Sequence, residues 1–470
     1  MIRRAQLSQS LLHYLHGAAM GLISAMLSGC VTPARLPALD EVAASAPDPL
    51  HAANRELPLG RSRAILETLA RQAGVNNSLL HHVAVEDMVS DSPLVVGNRV
   101  TLLRDGPATY RSMYHEISRA KHHINLEVYI FEQDELGKQL IALLLAQQRR
   151  GIQVNVIYDA VGSAHTTPRF FEPLKRAGGR VLQFNPLNPT KARSAWQVDH
   201  RDHRKLLIVD GQIAFTGGIN FSSVYSSGPL SHPQRARPPS HVPYRDTHVK
   251  IEGPVVIEFQ KLFLATWSKQ HGEPLPPAHY LPIVRPKANE LVRAVGSTPD
   301  DGVSVIHTAL LSAIAHAQRS VHVTNAYFVP DRRLIEQIKR AAQRGIDVRI
   351  ILPGQSYFWA PLYAGRALYT ELLDAGVKIY ERRAALLHAK TMVVDQVWST
   401  VGSANLDWRS FLNNDEVNAV VLGGDFAAQM EAMFLADLAH SREITKEAWK
   451  RRGMNSRIKE MAASIWQRWL

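Results

Sequence analysis

Cysteine is almost absent: the 470 residues contain one, Cys30. An intramolecular disulfide is therefore impossible, and Cys-rich zinc or iron–sulfur sites are excluded. Long apolar runs are missing too. Beyond the N-terminus no stretch reaches the roughly 20 residues of a membrane-spanning helix, which rules out a multi-span protein. Acidic residues are in deficit, 42 against 54 Lys and Arg, a formal excess of +12. That balance favours polyanionic partners (nucleic acid, lipid headgroups or phosphorylated substrates) without choosing among them. What remains is ordinary: 46% apolar and 20% charged residues suit a chain that buries a large core, and they exclude a mainly disordered or fibrous one. At roughly 100–200 residues per domain, the length implies about two to four units.

Residues 1–30 have the layout of an export signal. Arg3 and Arg4 open it, an apolar stretch runs from about Gly17 to Gly29, and small residues close it. The closing Leu27-Ser28-Gly29-Cys30 resembles the lipobox of bacterial lipoproteins. The resemblance implies cleavage before Cys30 and acylation of its thiol, which holds the chain stably on a membrane. Val31 at the next position implies the outer rather than the inner membrane, with the protein facing the periplasm. The Ala- and Pro-rich segment that follows reads as a tether.

The body of the chain is duplicated. His123–Phe131 and Ser320–Phe328 are β-branched and aromatic runs that read as buried strands. Each precedes a helical stretch, Gly137 to Arg150 and Asp331 to Arg344, and each helix stops at a glycine, Gly151 or Gly345. Further strands, Ile152–Tyr158 and Ile346–Leu352, complete two parallel βαβ units. The second part of each repeat matches more closely. His203-x-Lys205-x4-Asp210 parallels His388-x-Lys390-x4-Asp395. Seven residues beyond each aspartate stand Gly217-Gly218-Ile-Asn220 and Gly402-Ser403-Ala-Asn405. Asp246 lies seven residues before Gly253, and Glu416 seven before Gly423. Chance supplies roughly 0.05–0.1 matches to His-x-Lys-x4-Asp in such a chain, so two with equal downstream offsets are not accidental. The first repeat carries an insertion, about Tyr225 to Pro243, that reads as a loop.

On a strand, residues two apart share a face, so His203 projects with Lys205 and His388 with Lys390. A phosphodiester repels nucleophiles; its cleavage needs a nucleophile, an acid for the leaving alkoxide and positive charge around the non-bridging oxygens. Two imidazoles and two ammonium groups in one cleft supply all of these. Asn220 and Asn405 can donate amide N–H bonds to the same oxygens. A carboxylate on Nδ1–H fixes each ring's tautomer, and Asp246 is the candidate for His203, Glu416 for His388. Asp210 and Asp395 close the apolar strands and are read as bracing the site. No metal or other cofactor is expected.

The pattern H-x-K-x4-D-x6-G-[GS]-x-N, present twice, resembles the phospholipase D superfamily. Flanking stretches such as Tyr158-Asp-Ala-Val-Gly-Ser163, Arg245–Pro254 and Asn325–Pro330 are similar to its bacterial cardiolipin synthase branch. The resemblance covers about residues 90–440. It implies an α/β fold: two α-β-α sandwich halves related by a pseudo-twofold axis, with a single active site at their interface. It implies catalysis by His203, Lys205, Asp210, His388, Lys390 and Asp395, with His203 as nucleophile and His388 as acid/base; the residues alone are symmetric and leave those roles open. The implied reaction moves a phosphatidyl group from one phosphatidylglycerol to another, releasing glycerol. Hydrolysis of phospholipid or nucleic acid is the alternative chemistry, and a silent binding protein of the envelope a third. An anionic phospholipid substrate and a membrane surface are the expected partners, with no obligatory nucleic acid and a monomeric chain. The expected organisation is a signal at 1–29, a tether at 30–75, halves at 76–280 and 281–440, and a basic amphipathic helical tail at 441–470 bearing Trp449, Trp466 and Trp469.

Overall fold

A computed structural model describes residues 46–53, 55–191, 197–226, 242–276, 279–302 and 304–465. The export signal, Cys30 and most of the inserted loop lie outside the described residues. Two helices, α1 (Leu59–Ala73) and α2 (Ser78–Val89), precede the repeats. The first half then contains β1 (Val95–Arg104), α3 (Asp105–Arg119), β2 (His123–Val128), α4 (Glu135–Arg149), β3 (Gln153–Asp159), β4 (Arg180–Phe184), β5 (Lys205–Val209), β6 (Ile213–Gly217), β7 (Thr247–Glu252) and α5 (Val256–Lys269). The second contains β8 (Glu290–Ser297), α6 (Val305–His316), β9 (Ser320–Asn325), α7 (Arg332–Gln343), β10 (Asp347–Pro353), α8 (Trp359–Ala367), β11 (Lys378–Arg382), β12 (Lys390–Val394), β13 (Trp398–Gly402), β14 (Asn414–Leu422) and α9 (Gly424–Ala439). β15 (Ser441–Ile444) and α10 (Met454–Ile465) follow.

The duplication read in the sequence is a duplication of topology. In the first half β2, β3 and β4 run parallel, and β5, β6, β7 and β1 continue antiparallel from β2. In the second half β9, β10 and β11 run parallel, and β12, β13, β14 and β8 continue antiparallel from β9. The edge strands β1 and β8 pair antiparallel and join the two sheets. Both predicted βαβ units form, and Gly151 and Gly345 take the positive φ that ends their helices, 87° and 89°.

Burial on both sheet faces explains why the strands read as continuous apolar runs. Along β5, Leu207 and Val209 face a core shared with α3 and α4, whereas Leu206 and Ile208 face another. That second core joins both halves: Phe259 and Phe263 of α5 meet Phe426 and Met430 of α9 across β1, β8 and their neighbours. A third core covers the outer face of the second half.

Two boundaries differ from the expectation. The tether ends before residue 59, because Leu66, Ala70 and Ala73 of α1 are buried in that third core. Nor does α2 belong to the first half: its Leu79, Leu80 and Val83 pack with Leu310, Leu311 and Ile314 of α6. Apolar residues at helical spacing were diluted by Arg and Ala in this stretch. The tail is also not free. β15 pairs antiparallel with β11, and Trp449 is buried against Tyr369, its indole N–H donating to Thr370. Trp466 and Trp469 lie outside the described residues.

Candidate active site

His203 and His388 stand just before β5 and β12, where the apolar strands Lys205–Val209 and Lys390–Val394 leave the sheet. Lys205 donates its ammonium N–H to the His203 carbonyl at 2.6 Å, and Lys390 does the same to His388. The two motifs face one another. Lys390 depresses the pKa of Lys205, and each lysine acts on the histidine of the other half. Thus the structure brings both His–Lys pairs into one cleft between the halves.

The carboxylates pair with the opposite histidines from those expected. His203 Nδ1 lies 2.9 Å from Glu416 Oε1, and His388 Nδ1 lies 2.8 Å from Asp246 Oδ2. The reason is a backbone exchange. Arg201-Asp202 runs parallel to Asn414-Asp415, and Tyr244-Arg245 runs parallel to Leu386-Leu387. The His203 N–H donates to the Asp415 carbonyl at 2.9 Å, and the His388 N–H to the Arg245 carbonyl at 2.8 Å. Each histidine is thereby seated beside the acid of the other half. Sequence offsets, which are measured within one half, carry no signal of this crossing.

Neighbours fix both acids. Ser403 donates to Glu416 Oε2, and the Arg204 guanidinium donates to the Glu416 carbonyl at 3.1 Å. Arg245 donates to the Asp246 carbonyl and is itself held by Asp437 at 2.7 Å and Asp105 at 3.3 Å. Gly218 has no side chain because a Cβ there would run into the Asp246 carboxylate. Gly402 likewise lets β13 approach the Val417 carbonyl and the Asn418 side chain.

Electrostatics make the rings neutral at rest. Burial pushes His203 and His388 down to about 4, and the nearby lysines push the same way. The carboxylates oppose this but do not outweigh it. Burial also raises Glu416, yet His203, the bond between them and Lys205 hold its carboxyl at about 2. Asp246 is likewise lowered: burial opposes, but His388 and Lys390 outweigh it. Burial brings Lys205 down to about 7 and Lys390 to about 8. A neutral ring that donates Nδ1–H to a carboxylate leaves Nε2 as a free lone pair, the form a nucleophile needs.

The remaining expected residues divide. Asn220 is buried; its carbonyl accepts from the Ile130 N–H at 3.1 Å and its amide donates to the Tyr225 hydroxyl at 3.2 Å. It therefore positions Tyr225, whose hydroxyl is 3.4 Å from His388 Nδ1. Asn405 is buried with its Oδ1 unpartnered among the described residues. Asp210 and Asp395 sit at the far ends of β5 and β12, one strand length from the histidines. The carboxylate of Asp210 accepts from the N–H groups of Lys121, His122 and His123, and that of Asp395 from Gln318, Arg319 and Ser320. Both have φ near +55°, 56° and 54°. They brace the start of β2 and β9 and do not face the cleft, so the catalytic set implied by the resemblance is smaller by these two.

Aromatic residues went unselected in the sequence. The Tyr129 ring is 4.9 Å from that of His203, and Lys205 Nζ lies 5.1 Å from its centroid, a cation–π contact. Tyr225, Tyr244 and Tyr327 surround His388 at 5.7, 6.1 and 6.5 Å. The available signal was positional: Tyr129 and Tyr327 both follow the first strand of a parallel unit.

The family model described as "cardiolipin synthase, PLD-like domain" matches residues 113–226 and 310–438, one segment in each half. The cardiolipin synthase of Geobacillus kaustophilus is 34% identical over 379 residues, spanning 80% of this chain and 73% of that protein. The major cardiolipin synthase ClsA of Bacillus subtilis is 36% identical over 378 residues, 78% of this chain and 74% of its own. Among solved structures, phosphatidylserine synthase of Haemophilus influenzae superimposes with a TM-score of 0.59 over 83% of this chain and all of that one, at 15% identity, a likeness of fold. Twin His–Lys motifs on a duplicated α/β sheet, together with these relatives, place the chain in the cardiolipin synthase branch of the phospholipase D superfamily.

Proposed function

We propose that the chain transfers a phosphatidyl group from one phosphatidylglycerol to the glycerol hydroxyl of a second, giving cardiolipin and glycerol. The crossed His–carboxylate pairs around one cleft carry this reading. The non-bridging phosphate oxygens lie between Lys205 and Lys390. His203 Nε2 attacks phosphorus, and the bond from phosphorus to the glycerol oxygen breaks. Glu416 stabilises the cationic phosphoimidazole that forms, through Nδ1–H. The anionic substrate favours a proton on His388 Nε2, which passes to the departing alkoxide. The acceptor hydroxyl of the second lipid then gives its proton to His388 and attacks phosphorus, and the P–N bond breaks. Asp246 holds His388 in register for both transfers.

Water in place of the second lipid would give phosphatidic acid. Purified protein with phosphatidylglycerol vesicles should therefore yield cardiolipin and glycerol; phosphatidic acid as the main product would convert the reading to a hydrolase. His203→Ala should abolish turnover and any acid-labile covalent phosphoenzyme.

One chain supplies both halves of the cleft, so a monomer suffices. We propose further that Cys30 is the acylated N-terminus and tethers the enzyme to the envelope, at the outer membrane. No described helix is long and apolar enough to cross a membrane. The mass of the mature N-terminal peptide and membrane fractionation test this: an uncleaved, unacylated Cys30 would reject it.

A further inference from the structure

The outer face of α10 is apolar and uncovered. Ser456, Glu460 and Ala463 face inward, and Ala463 packs with Ala364 of α8 and Val329. Met454, Ile458, Met461 and Ile465 are 51–75% exposed. At 100° per residue these four fall within about 60° of arc, opposite the buried face. Polar groups are therefore missing from the side of a helix where solvent would select them. Lys459 and Arg457 flank the stripe; the Lys459 ammonium lies 5.2 Å from the Tyr363 ring of α8.

A second apolar feature adjoins it. Tyr357, Phe358 and Trp359, at the start of α8, are 45–63% exposed. α8 packs on α10 through Tyr363 and Ala364, and its Gly365 rests on the carbonyl of Phe328. Phe328 follows Tyr327, which faces His388. Tyr357 stands near enough to Tyr244, the ring 6.1 Å from His388, to raise its pKa, second only to burial. Three exposed aromatics and a four-residue apolar stripe thus lie on two helices of the second half that pack on one another, α8 and α10.

We infer that this surface is an interfacial docking platform for an anionic lipid bilayer, seated so that phosphatidyl headgroups pass from the membrane directly to the cleft. The inference rests on the proposed phosphatidylglycerol chemistry and adds to it where the membrane lies. A bilayer that holds phosphatidylglycerol is itself anionic, which complements Lys459, Arg457 and the overall charge of +12. Aromatic rings prefer the headgroup level, and aliphatic side chains the acyl boundary. The platform is independent of Cys30: a tether sets local concentration, whereas this face sets orientation.

The test uses the full chain carrying Cys30→Ser throughout, so that no acyl anchor holds it to the vesicle, with Phe358→Ser/Trp359→Ser and with Ile458→Ser/Met461→Ser, and Ile283→Ser, an exposed apolar residue elsewhere, as the control. Each is assayed for flotation with phosphatidylglycerol and with phosphatidylcholine vesicles, and for turnover of vesicles and of monomeric short-chain phosphatidylglycerol. The platform variants should float about tenfold or more weaker with anionic vesicles and lose turnover on them in proportion. Their turnover of the monomeric substrate, and every property of Ile283→Ser, should change less than about twofold, since these side chains touch no reacting group. Unchanged flotation and vesicle turnover would overturn the inference. So would loss of a dimer by the platform variants, which would make a second copy the occupant. Should the parent chain turn over neither substrate, the reading of the cleft fails, while flotation still decides the platform.

Discussion

Exchanging Glu416 for Gln keeps the volume and removes the charge that His203 faces at 2.9 Å. At that separation and an effective dielectric of about 20, a carboxylate attracts a cationic ring by about 6 kcal/mol. The amide keeps part of this as a dipole. Gln also offers an NH2 where Nδ1–H now points, which favours the tautomer with the proton on Nε2, the wrong one for attack. A loss of about 3–5 kcal/mol, or roughly 10²–10⁴ in rate, follows. Asp246→Asn does the same to His388. The crossed pairing makes the two variants distinguishable. A nitrophenyl leaving group departs without a proton, so a nitrophenyl phosphodiester of the lipid needs the nucleophile but little of the acid. Glu416→Gln should slow both this substrate and phosphatidylglycerol by the full factor and prevent phosphoenzyme formation. Asp246→Asn should slow phosphatidylglycerol comparably yet leave formation of the phosphoenzyme from the nitrophenyl substrate within about tenfold of the parent. Rapid-quench trapping of the phosphoenzyme measures both. The reverse pattern, with Asp246→Asn abolishing trapping and Glu416→Gln sparing it, would refute the argument from crossed pairs.

The same burial sets a pH profile. In the free enzyme the base His203 and the acid His388 both lie near 4, so kcat/KM should rise to about pH 4, decline above it as His388 loses its proton, and decline more steeply above about pH 7 to 8 as Lys205 and Lys390 lose theirs; bound phosphodiester should shift the alkaline limbs of kcat upward, and limbs that coincide with those of kcat/KM would count against the lysines binding phosphate. Both lysines are lowered from about 10.5, so the unfolded chain binds more protons between about pH 7 and 10.5 and stability rises with pH across that window. Calorimetry should show this rise flattened in Lys205→Met/Lys390→Met. Asp395→Ala removes three N–H partners at a positive φ and should cost about 2–4 kcal/mol in denaturant unfolding while turnover per folded molecule persists; a collapse of turnover in the folded variant would instead give Asp395 a part in the chemistry.

Local chemistry was legible wherever its cause was local. The β-branched run Lys205–Val209 is a strand because both its faces are buried, and His203 and Lys205 sit two residues apart at its end. The same words, repeated at His388, announced two equal halves. A helix such as α1 was missed because its buried face is written in Ser, Leu and Ala, with arginines between them. The core it joins also draws on Val305 and Leu310, more than two hundred residues downstream.

By itself, then, the sequence determined the reaction class, through the residue types and their spacing, and the α/β duplication, through its apolar runs. Tertiary structure alone decided which acid serves which histidine. Two short parallel bridges, Arg201-Asp202 with Asn414-Asp415 and Tyr244-Arg245 with Leu386-Leu387, carry each motif across to the other half. Spacing within a half contains no information about contacts made between halves. It also decided that Asp210 and Asp395 tie backbone instead of meeting substrate, because an extended strand sets its two ends a strand length apart. The packing of the two halves likewise brought Lys390 near enough to add to burial in lowering the pKa of Lys205, a contact between halves that spacing within one half does not record.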